Sequence, residues 1–536
     1  MYIYIIIYLI YIFYKSRTSL YMLQQNLYNE NNRYLKWILR NPKKSYNTVD
    51  FIPFLLLIFV LLSKDSFIME TCYLTIMTVY LLGIYEEYKK NQLNQNKISF
   101  KVTNRIKRLY MTEFIIILGL LTFLVYTNFN GIVLLVLTLL MAFNYYYIYV
   151  VNLINKPLEK LVYFYYFQKA KNKLKDMSRL EVVGITGSYG KTTSKNIVNH
   201  ILSSAYITRP TPKNLNTPYG LMITINNYLD KFDEFFIAEM GAYVSGEIKN
   251  MCSFVKPRYG ILTTIGEAHL ETFKTKENIC QAKFELIESL KPNGVAVLNL
   301  DDSYQVNYVE NNLKNKVKIL WIGVDNKEAM FNATNIKMDK NGMNFDVYYQ
   351  EEKYHFQTKL LGIHNIYNIL AGVALGFFLK INPNDMIAKV KTLTPVEHRL
   401  EIKKLNQITM IDDAYNSNPV GARNAVSVLG MMDGIKVVVT PGMIELGSLE
   451  DKLNYELGTS IAKHADYVIL IGKEKTKSIK KALIDSGFKE DNIIILNKVV
   501  DSYLELDKIK SRYSDREVYA LFENDLPDIY SEGEIK

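Results

Sequence analysis

The apolar residues of this 536-residue chain are concentrated in its first 155 residues, and the remainder has the mixed composition of a soluble protein. A helix needs about 20 apolar residues to cross a bilayer, so this asymmetry predicts an α-helical transmembrane region followed by a soluble one. The apolar segments are Met1–Tyr14, Phe51–Ser63, Ser66–Tyr85, Thr112–Phe129 and Gly131–Ile154. The last three approach the length of a span and the first two are short enough to be interfacial or re-entrant, so we expect four or five spans.

Two basic loops set the expected orientation of these segments. Loops 15–50 and 87–111 each carry seven Lys or Arg residues, whereas the other turns offer Lys64 on one side and none in Thr127–Asn130. The positive-inside rule places both loops in the cytosol, so the chain emerges there after residue 155 whether or not the first segment spans. That segment differs from a signal peptide because its basic residues follow the apolar run and no small-residue cleavage site is evident.

The composition argues against several other classes of protein. The net charge of +10 would suit nucleic acid, but much of it lies in the two basic loops, where it sets membrane orientation instead. No charged residue sits at the centre of a predicted span, which favours an anchor over a transport pathway. Cys72, Cys252 and Cys280 lack paired spacing, so we expect a reducing compartment with neither disulfides nor a zinc site.

A phosphate-binding loop opens the soluble part. Leu180–Thr193 has the pattern of a buried strand, a glycine turn and a helix start. Gly184, Gly190, Lys191 and Thr192 resemble the G-x-x-x-x-G-K-[ST] pattern, with one more residue between the two glycines. Its glycines let backbone amides approach phosphate oxygens, and the helix N-terminus adds its positive dipole. We therefore expect ATP here, with Lys191 at the β- and γ-phosphates and Thr192 at Mg²⁺.

This loop is the first of a series of motifs along the chain. They are Gly187–Thr193, Asn214–Gly220, Ala238–Ala242 with Gly246–Ile248, Ile265–Glu271, Gln281–Lys283, Asn299–Asp302, Gly362–Asn368, His398–Glu401, Asp412–Pro419 and Gly442–Gly447. In this order they resemble the Mur ligase family, most closely its D-alanyl-D-alanine-adding members, over about residues 180–525. The resemblance implies an ATP-dependent ligase that activates a carboxylate as an acyl phosphate and passes the acyl group to an amine.

The resemblance also implies roles for individual residues. Nucleotide binding is assigned to Gly187, Gly190, Lys191, Thr192, Thr193, Asn299, Asn365, Arg399 and Asp413. Two Mg²⁺ sites are implied, one with Thr192 and Glu239 and one with His269 and a carbamylated Lys283. The implied catalytic residues are Lys191, His269, Lys283 and Arg399, since positioned cations stabilise the phosphoryl transition state. The substrates are assigned to Asn214, Asn216, Thr217, Tyr415, Asn416 and Asn418.

Several of these residues have a purely structural alternative. An isolated histidine is more often hydrogen-bonded than metal-bound, and the place of His269 in the ordered series favours the metal. Lys283 lies on a predicted helix, Thr275–Leu290, where an isolated lysine is usually a solvated charge. Turn formation is the alternative for Asn214, Asn216 and Thr217.

Alternating strands and helices predict the fold class of the soluble part, an α/β architecture. The predicted strands are Val182–Thr186, Phe235–Glu239, Tyr259–Thr263 and Val295–Asn299 in a central doubly wound sheet, and Val437–Thr440, Tyr467–Ile471 and Ile493–Leu496 in a second unit. The expected domains are a transmembrane region (1–155), an amphipathic linker (156–180), a central Mur-ligase-type P-loop ATPase domain (181–395) and a C-terminal Rossmann-like domain (396–536). We expect ATP in the cleft between the last two.

Two departures from the family bear on the substrates. Membrane segments replace the soluble N-terminal domain with which family members hold a UDP-sugar substrate. The acidic stretch Leu521–Tyr530 stands where the D-alanyl-D-alanine-adding members carry a basic K-G-S-R motif, and Asn454 stands where they commonly have histidine. The acidic stretch suggests an amine partner whose ammonium group lies near it.

The favoured hypothesis is therefore a ligase at the cytoplasmic face of the membrane. Its expected partners are the lipid bilayer, a carboxylate-bearing peptidoglycan or other envelope precursor that is lipid-linked, and an amino-acid or dipeptide amine, without nucleic acid. One alternative is an amino-acid ligase of the folylpolyglutamate or polyglutamate synthase type. Another is a P-loop membrane NTPase without ligase activity, although an aliphatic Walker B strand ending in Asp-Glu is not found.

Overall fold

The computed structural model of the protein describes residues 2–46, 48–63, 65–93, 100–127, 131–314, 317–405, 407–414, 417–444 and 446–524. These residues form two units, a helical unit (Met1–Phe164) and an α/β unit (Tyr165–Leu526).

The helical unit is built from helices that follow the apolar segments. They are α1 (Tyr2–Gln25), α2 (Arg33–Arg40), α3 (Pro42–Ser45), α4 (Ile52–Leu62), α5 (Ser66–Leu93), α6 (Asn104–Tyr126), α7 (Gly131–Ala142) and α8 (Asn144–Asp176), the last of which continues into the α/β unit. Short 3₁₀ helices occupy Leu27–Asn32 and Thr48–Phe51.

Two of these helices have the length and composition of a membrane span. They comprise Ser66–Lys89 and Asn104–Tyr126, and a third candidate combines α7 with α8 across a bend of 96°. Thr48–Leu62 is apolar but shorter. Length and composition thus support two or three spans, and the expected four or five stay a prediction.

Buried polar side chains connect the helices of this unit. The Ser16 hydroxyl donates to the Glu113 carboxylate, and Asn144 Nδ2 donates to Ser16 Oγ at 3.0 Å. Lys15 forms a buried ion pair with Asp50. These contacts tie α1 to α6, to α8 and to the 3₁₀ helix at Thr48–Phe51. Pattern analysis did not reveal this packing, because Glu113 lies at the edge of its predicted segment but is buried on the longer helix α6.

The α/β unit contains two groups of alternating elements. The first is β1 (Glu181–Thr186), α9 (Lys191–Leu202), β2 (Thr208–Pro210), α10 (Pro218–Asn227), β3 (Phe235–Glu239), α11 (Glu247–Val255), β4 (Tyr259–Leu262), α12 (Leu270–Phe273), α13 (Lys276–Glu288), β5 (Val295–Asn299), α14 (Ser303–Asn311), β6 (Lys318–Gly323), β7 (Phe331–Asp339), β8 (Gly342–Tyr349), β9 (Glu352–Thr358), α15 (His364–Phe378) and α16 (Pro383–Lys391). The second is β10 (Glu401–Leu405), β11 (Ile408–Asp413), α17 (Pro419–Gly430), β12 (Ile435–Thr440), α18 (Glu450–His464), β13 (Tyr467–Ile471), α19 (Lys477–Asp485), β14 (Ile493–Leu496), α20 (Asp501–Arg512) and β15 (Val518–Glu523), with 3₁₀ turns at Gly447–Leu449 and Glu490–Asn492.

Each group forms its own sheet. Among the described residues the first has the order β2-β3-β1-β4-β5-β6-β7-β8-β9, and the second β10-β11-β15-β12-β13-β14. The strands of the first sheet are parallel up to the β6–β7 pair, and β10–β11 is the antiparallel pair of the second. In parallel sheets of this kind ligands bind beyond the carboxyl ends of the strands. The predicted fold class, transmembrane-type helices followed by two α/β sheets, is confirmed.

The antiparallel strands β7, β8 and β9 were not predicted. The β8–β9 hairpin turns at Gln350 and Glu351, whose φ values are 51° and 68°. Two consecutive positive φ values suit the tight turn of a hairpin, for which Asn-Gly is the usual sequence signal. Because neither residue is Asn or Gly, the sequence gives no strong indication of this turn.

Candidate active site

The phosphate loop joins β1 to α9 through two glycines with positive φ. Gly187 has φ 149°, and a Cβ built on it would lie 1.9 Å from Thr263 Oγ1. Gly190, with φ 77°, immediately precedes α9. Lys191 Nζ donates to Gly187 O at 2.7 Å and to Ser188 O at 3.0 Å. Burial lowers the pKa of Lys191 to about 8, although the nearby Glu239 carboxylate opposes this shift.

A buried carboxylate lies beside this loop at the carboxyl end of β3. Glu239 is 1% exposed, and its Oε1 accepts hydrogen bonds from Thr192 Oγ1 at 3.0 Å and from Asn216 Nδ2 at 2.9 Å. The structure therefore brings together the predicted metal ligands, Thr192 and Glu239, and joins a predicted substrate residue, Asn216, to them. Clustered carboxylate and hydroxyl oxygens are the protein ligands that Mg²⁺ prefers.

Lys195 belongs to the same cluster, and the sequence analysis missed it. Its side chain is 1% exposed, with Nζ 3.2 Å from Glu239 Oε2 and donating to Lys213 O at 2.6 Å. It lies one helical turn after Lys191, on the helix that opens at the phosphate loop. That spacing was the available signal, because residues four apart lie on the same face of a helix.

Lys283 projects inward from α13 instead of into solvent. It is 2% exposed, its Nζ donates to Ala242 O at 3.3 Å and lies 5.5 Å from the centre of the Phe273 ring. Burial lowers the pKa of Lys283 to about 7, and the Lys191 charge adds to this effect. The solvated lysine considered as an alternative is thus wrong for this position.

His269 immediately precedes α12. Its φ is 59°, and its ring centre lies 4.4 Å from that of Tyr243. His269 and Phe273 bracket α12, so this short helix connects the histidine to the surroundings of Lys283. Within the described ranges, no three His, Cys, Asp or Glu side chains cluster as a metal site.

A cavity of about 760 Å³ lies next to the phosphate loop. Its lining includes six of the predicted nucleotide-binding residues: Gly190, Thr193, Asn299, Asn365, Arg399 and Asp413. Both sheets of the α/β unit contribute to this lining, since Asn299 ends β5 of the first sheet and Asp413 ends β11 of the second. The volume and the mixture of polar and apolar walls suit a ligand of nucleotide size.

Arg399 is held between two residues with left-handed backbone. His398 and Leu400 have φ values of 60° and 48°, which are uncommon for residues other than glycine. His398 Nδ1 lies 2.8 Å from Asp412 Oδ2, and Leu400 N donates to Asp413 Oδ1 at 3.2 Å. The strands β10 and β11 thereby fix the segment that carries the arginine.

Two titratable groups of the cavity are shifted by burial. Burial lowers the pKa of His364 to about 4, and the Arg399 charge adds to the shift, so this imidazole is neutral at physiological pH. Burial raises the pKa of Asp413 to about 6, which Arg399 opposes. Asn365 was predicted from this motif as a nucleotide-binding residue, whereas His364 was not. Its position at the start of α15 was the available signal for a role in the same site.

The other predicted substrate residues have different surroundings. Asn214 is exposed, whereas Thr217 caps α10 by accepting from Gly220 N at 3.2 Å. Asn418 lines the cavity and caps α17 through a 2.8 Å bond from Gly421 N. The predicted residues Tyr415 and Asn416 lie outside the described residues.

The acidic C-terminal stretch is described only as far as Asn524. Glu523 ends β15, is 1% exposed and accepts from the hydroxyls of Ser417 and Thr440. Burial raises the pKa of Glu523 to about 8. Asn454 is also buried, and it braces the neighbouring loop by accepting from Met443 N at 2.9 Å and donating to Met443 O at 3.0 Å.

Comparison with known proteins places the similarity in the α/β unit. Residues 185–376 match the family described as Mur ligase middle domain, and residues 398–508 match the family described as Mur ligase, glutamate ligase domain. Together these matches cover more than half of the chain. Both matched regions follow the helical unit in the sequence.

Curated relatives include two proteins named UDP-N-acetylmuramoyl-tripeptide–D-alanyl-D-alanine ligase. That of Buchnera aphidicola (subspecies Baizongia pistaciae) is 29% identical over 65% of this chain and 76% of its own length. That of Bacillus subtilis is 30% identical over 57% of this chain and 65% of its own length, just under two thirds.

Solved structures show the same similarity. MurF from Acinetobacter baumannii gives a TM-score of 0.61 at 26% identity, covering 68% of this chain and 77% of that one. A MurF ligase from Thermotoga maritima in complex with ADP gives a TM-score of 0.60 at 25% identity, covering 68% and 81%.

Proposed function

The chain belongs to the Mur ligase family of ATP-dependent ligases that form peptide bonds, and we propose that it joins a carboxylate-bearing precursor of the cell envelope to an amino-acid or dipeptide amine. The observation that carries this proposal is the convergence of three features: the phosphate loop, the buried oxygen pair of Thr192 and Glu239, and the cavity reached by Arg399. Relatives with the names of peptidoglycan-precursor ligases support the same substrate class.

The proposed reaction has two steps. A carboxylate oxygen of the precursor attacks the γ-phosphorus of ATP, and the bond to the β-bridging oxygen breaks to release ADP. The amine then attacks the acyl carbon of the resulting acyl phosphate, phosphate leaves with that carboxylate oxygen, and the amine loses a proton. Both steps place negative charge on phosphoryl oxygens, which the cations of Lys191 and Arg399 would stabilise.

The residues beside the phosphate loop fit a magnesium ion. Thr192 Oγ1 and Glu239 Oε1 lie 3.0 Å apart, and the buried Oε2 of Glu239 has no well-formed hydrogen bond from a described residue. Bound there, Mg²⁺ would neutralise charge on the β- and γ-phosphates. Asn216 would couple this metal site to the segment 211–217, because its side-chain amide donates to the same Glu239 oxygen.

We further propose that Lys283 is carbamylated and supports a second Mg²⁺ with His269. A lysine with a pKa of about 7 is partly a neutral amine at physiological pH, and the neutral amine is the form that adds CO₂. The nitrogen of the neutral amine bonds to the carbon of CO₂ and loses one proton, which gives a carbamate anion. Starting from the ammonium cation, two protons leave in all. The carbamate would supply an anionic oxygen ligand for the proposed second Mg²⁺.

The nucleoside is proposed to occupy the cavity beyond the phosphate loop. Asn299 and Asn365, two buried residues that line the cavity, would flank the adenine, and Asp413 would accept a hydrogen bond from the ribose. Because Asn299 and Asp413 belong to different sheets, bound nucleotide would link the two halves of the α/β unit. We retain 181–395 and 396–536 as the proposed limits of those halves.

The acyl substrate is proposed to be lipid-linked, with the protein in the cytoplasmic membrane and its α/β unit in the cytoplasm. Two helices of span length support the membrane location, with the proposed limits 1–155 for the spans and 156–180 for the linker. The acidic composition of Leu521–Tyr530 supports an amine partner whose ammonium group lies near this stretch.

Phosphate release by the full chain in nanodiscs tests the proposed function. The protein is assayed against paired carboxylates and amines, including glutamate acceptors that a polyglutamate-type ligase would use. We expect ATP turnover that requires both the carboxylate and the amine. This turnover should be lost in Lys191→Ala, and an unchanged circular dichroism spectrum is the control that the variant is folded. Turnover that needs neither partner would instead indicate a membrane NTPase.

A further inference from the structure

Helix α8 carries an apolar stripe on its surface. Val150, Ile154, Leu158, Leu161 and Phe164 are exposed by 47%, 54%, 44%, 68% and 59%. Their spacing of three or four residues places them along one face of the helix over about four turns. A contiguous exposed apolar surface of this kind marks a contact with a lipid or protein partner.

The opposite face of α8 is fixed to helix α6. Arg108 Nε and Nη2 donate to the two oxygens of Glu159 at 2.7 and 2.8 Å, and Thr112 Oγ1 donates to Asn155 Oδ1 at 3.1 Å. A bidentate Arg–carboxylate pair of this type restricts rotation. The stripe therefore faces away from the helical unit as a consequence of packing.

These contacts also define the level at which α8 lies along α6. Arg108 and Thr112 belong to the first three turns of α6, which overlap the end of the basic segment 87–111. By the positive-inside rule this end of α6 is the cytosolic end. The stripe is thus at the level of the cytosolic surface and not in the middle of the bilayer.

The direction of α8 agrees with this position. Helices α7 and α8 meet at Phe143 with a bend of 96°. If α7 follows the bilayer normal, α8 runs nearly parallel to the membrane surface. The exposed lysines Lys156 and Lys160 lie between residues of the stripe in the sequence, where they can reach lipid phosphates.

We propose that residues 150–164 of α8 lie in the cytosolic headgroup layer, with the apolar stripe against the acyl chains and the lysines at anionic lipid phosphates. This arrangement is typical of helices that bind membrane interfaces. The proposal rests on the membrane location proposed above and goes beyond it, because α8 then binds the bilayer surface instead of completing a span with α7.

Depth measurements on the full chain test this proposal. Single nitroxide labels are placed at Leu161→Cys in the stripe, at Lys156→Cys as an exposed control on another face, and at Ile115→Cys, a residue of α6 that is 58% exposed. The background lacks the three native cysteines. Accessibility to oxygen and to a water-soluble nickel complex is compared in nanodiscs of phosphatidylcholine and phosphatidylglycerol.

We expect Ile115 to be deep, Leu161 to be shallow at the boundary of headgroups and acyl chains, and Lys156 to lie farther out than Leu161, at the level of the lipid phosphates. A water-exposed Leu161 with a deep Ile115 would overturn the interfacial helix and leave the membrane location intact. A Leu161 as deep as Ile115 would show a broken span and also overturn it. A water-exposed Ile115 would refute the membrane location itself, and none of these outcomes depends on ligase activity.

Discussion

Glu239 connects the nucleotide side of the site to the segment proposed to approach the acyl substrate. Its carboxylate is contacted by Thr192 and Lys195 from α9 and by Asn216 from the segment 211–217. Lys195 also holds that segment directly, because it donates to the Lys213 carbonyl. A change at Lys195 should therefore alter both the metal site and the segment without touching the phosphate loop.

We predict that Lys195→Met weakens binding of Mg²⁺·ADP about 10- to 100-fold, the usual effect of losing a partner of a metal ligand. Lys195→Arg should restore part of the affinity, and Lys249→Met, at an exposed lysine, is the matched control. Calorimetry with ADP at varied Mg²⁺ measures the effect, and unchanged affinity in Lys195→Met would contradict the assigned role.

A second prediction concerns the carbamate at Lys283. Lys283→Ala should be inactive and should regain partial activity when short carboxylic acids occupy the vacated anion position. Lys191→Ala is the control, because the same acids should not rescue a missing phosphate contact. Full activity of Lys283→Ala without added acid would exclude the carbamate.

The pH dependence of Lys283 gives an independent test. Its pKa lies near 7 instead of the ordinary lysine value, so the neutral amine increases as pH rises through that value. At the same concentration of dissolved CO₂, protein depleted of CO₂ should therefore be reactivated faster at about pH 8 than at about pH 6. Equal reactivation at both values would indicate that no buried amine of this pKa is involved.

At the scale of the secondary-structure elements, continuous apolar runs were the reliable signal for the buried β-strands. Val182–Thr186 and Phe235–Glu239 were predicted as strands because both faces of a central parallel strand are buried. Strand β7 is buried at its start and alternates afterwards. Asn341 and Gly342 at its turn into β8 were an available hairpin signal, whereas the turn from β8 to β9 contains neither residue type. Single residues such as Lys195 escaped because their partners come from distant segments.

The orientation of the helices is the prediction at this scale. Cysteines introduced at Lys101, in the second basic loop, and at Lys489, after α19, should resist impermeant thiol reagents in intact cells. Asp65→Cys, in the turn before α5, should be labelled and serves as the positive control. The background lacks the three buried native cysteines. Labelling at Lys101 or Lys489 without permeabilisation would contradict the cytosolic location.

At the scale of the whole molecule, the helical unit precedes the residues that match the two Mur ligase domains. We predict that the full chain in nanodiscs uses a lipid-linked acid about 100-fold more efficiently than the same acid linked to UDP, because both partners are confined to one membrane. The effect is measured as the kcat/KM for the lipid-linked acid divided by the kcat/KM for the UDP-linked acid. This ratio is determined in nanodiscs and compared with its value in detergent. Equal efficiency with the soluble acid would show that the helical unit only localises the protein.

The central claim is that ATP activates a carboxylate as an acyl phosphate, and transfer of oxygen tests it most directly. The acid is labelled with ¹⁸O in its carboxylate, and the phosphate released during turnover is analysed by mass spectrometry. We predict one ¹⁸O atom in the released phosphate for each amide formed, and no ¹⁸O-labelled phosphate with Lys191→Ala. Unlabelled phosphate, or pyrophosphate released with AMP, would contradict it.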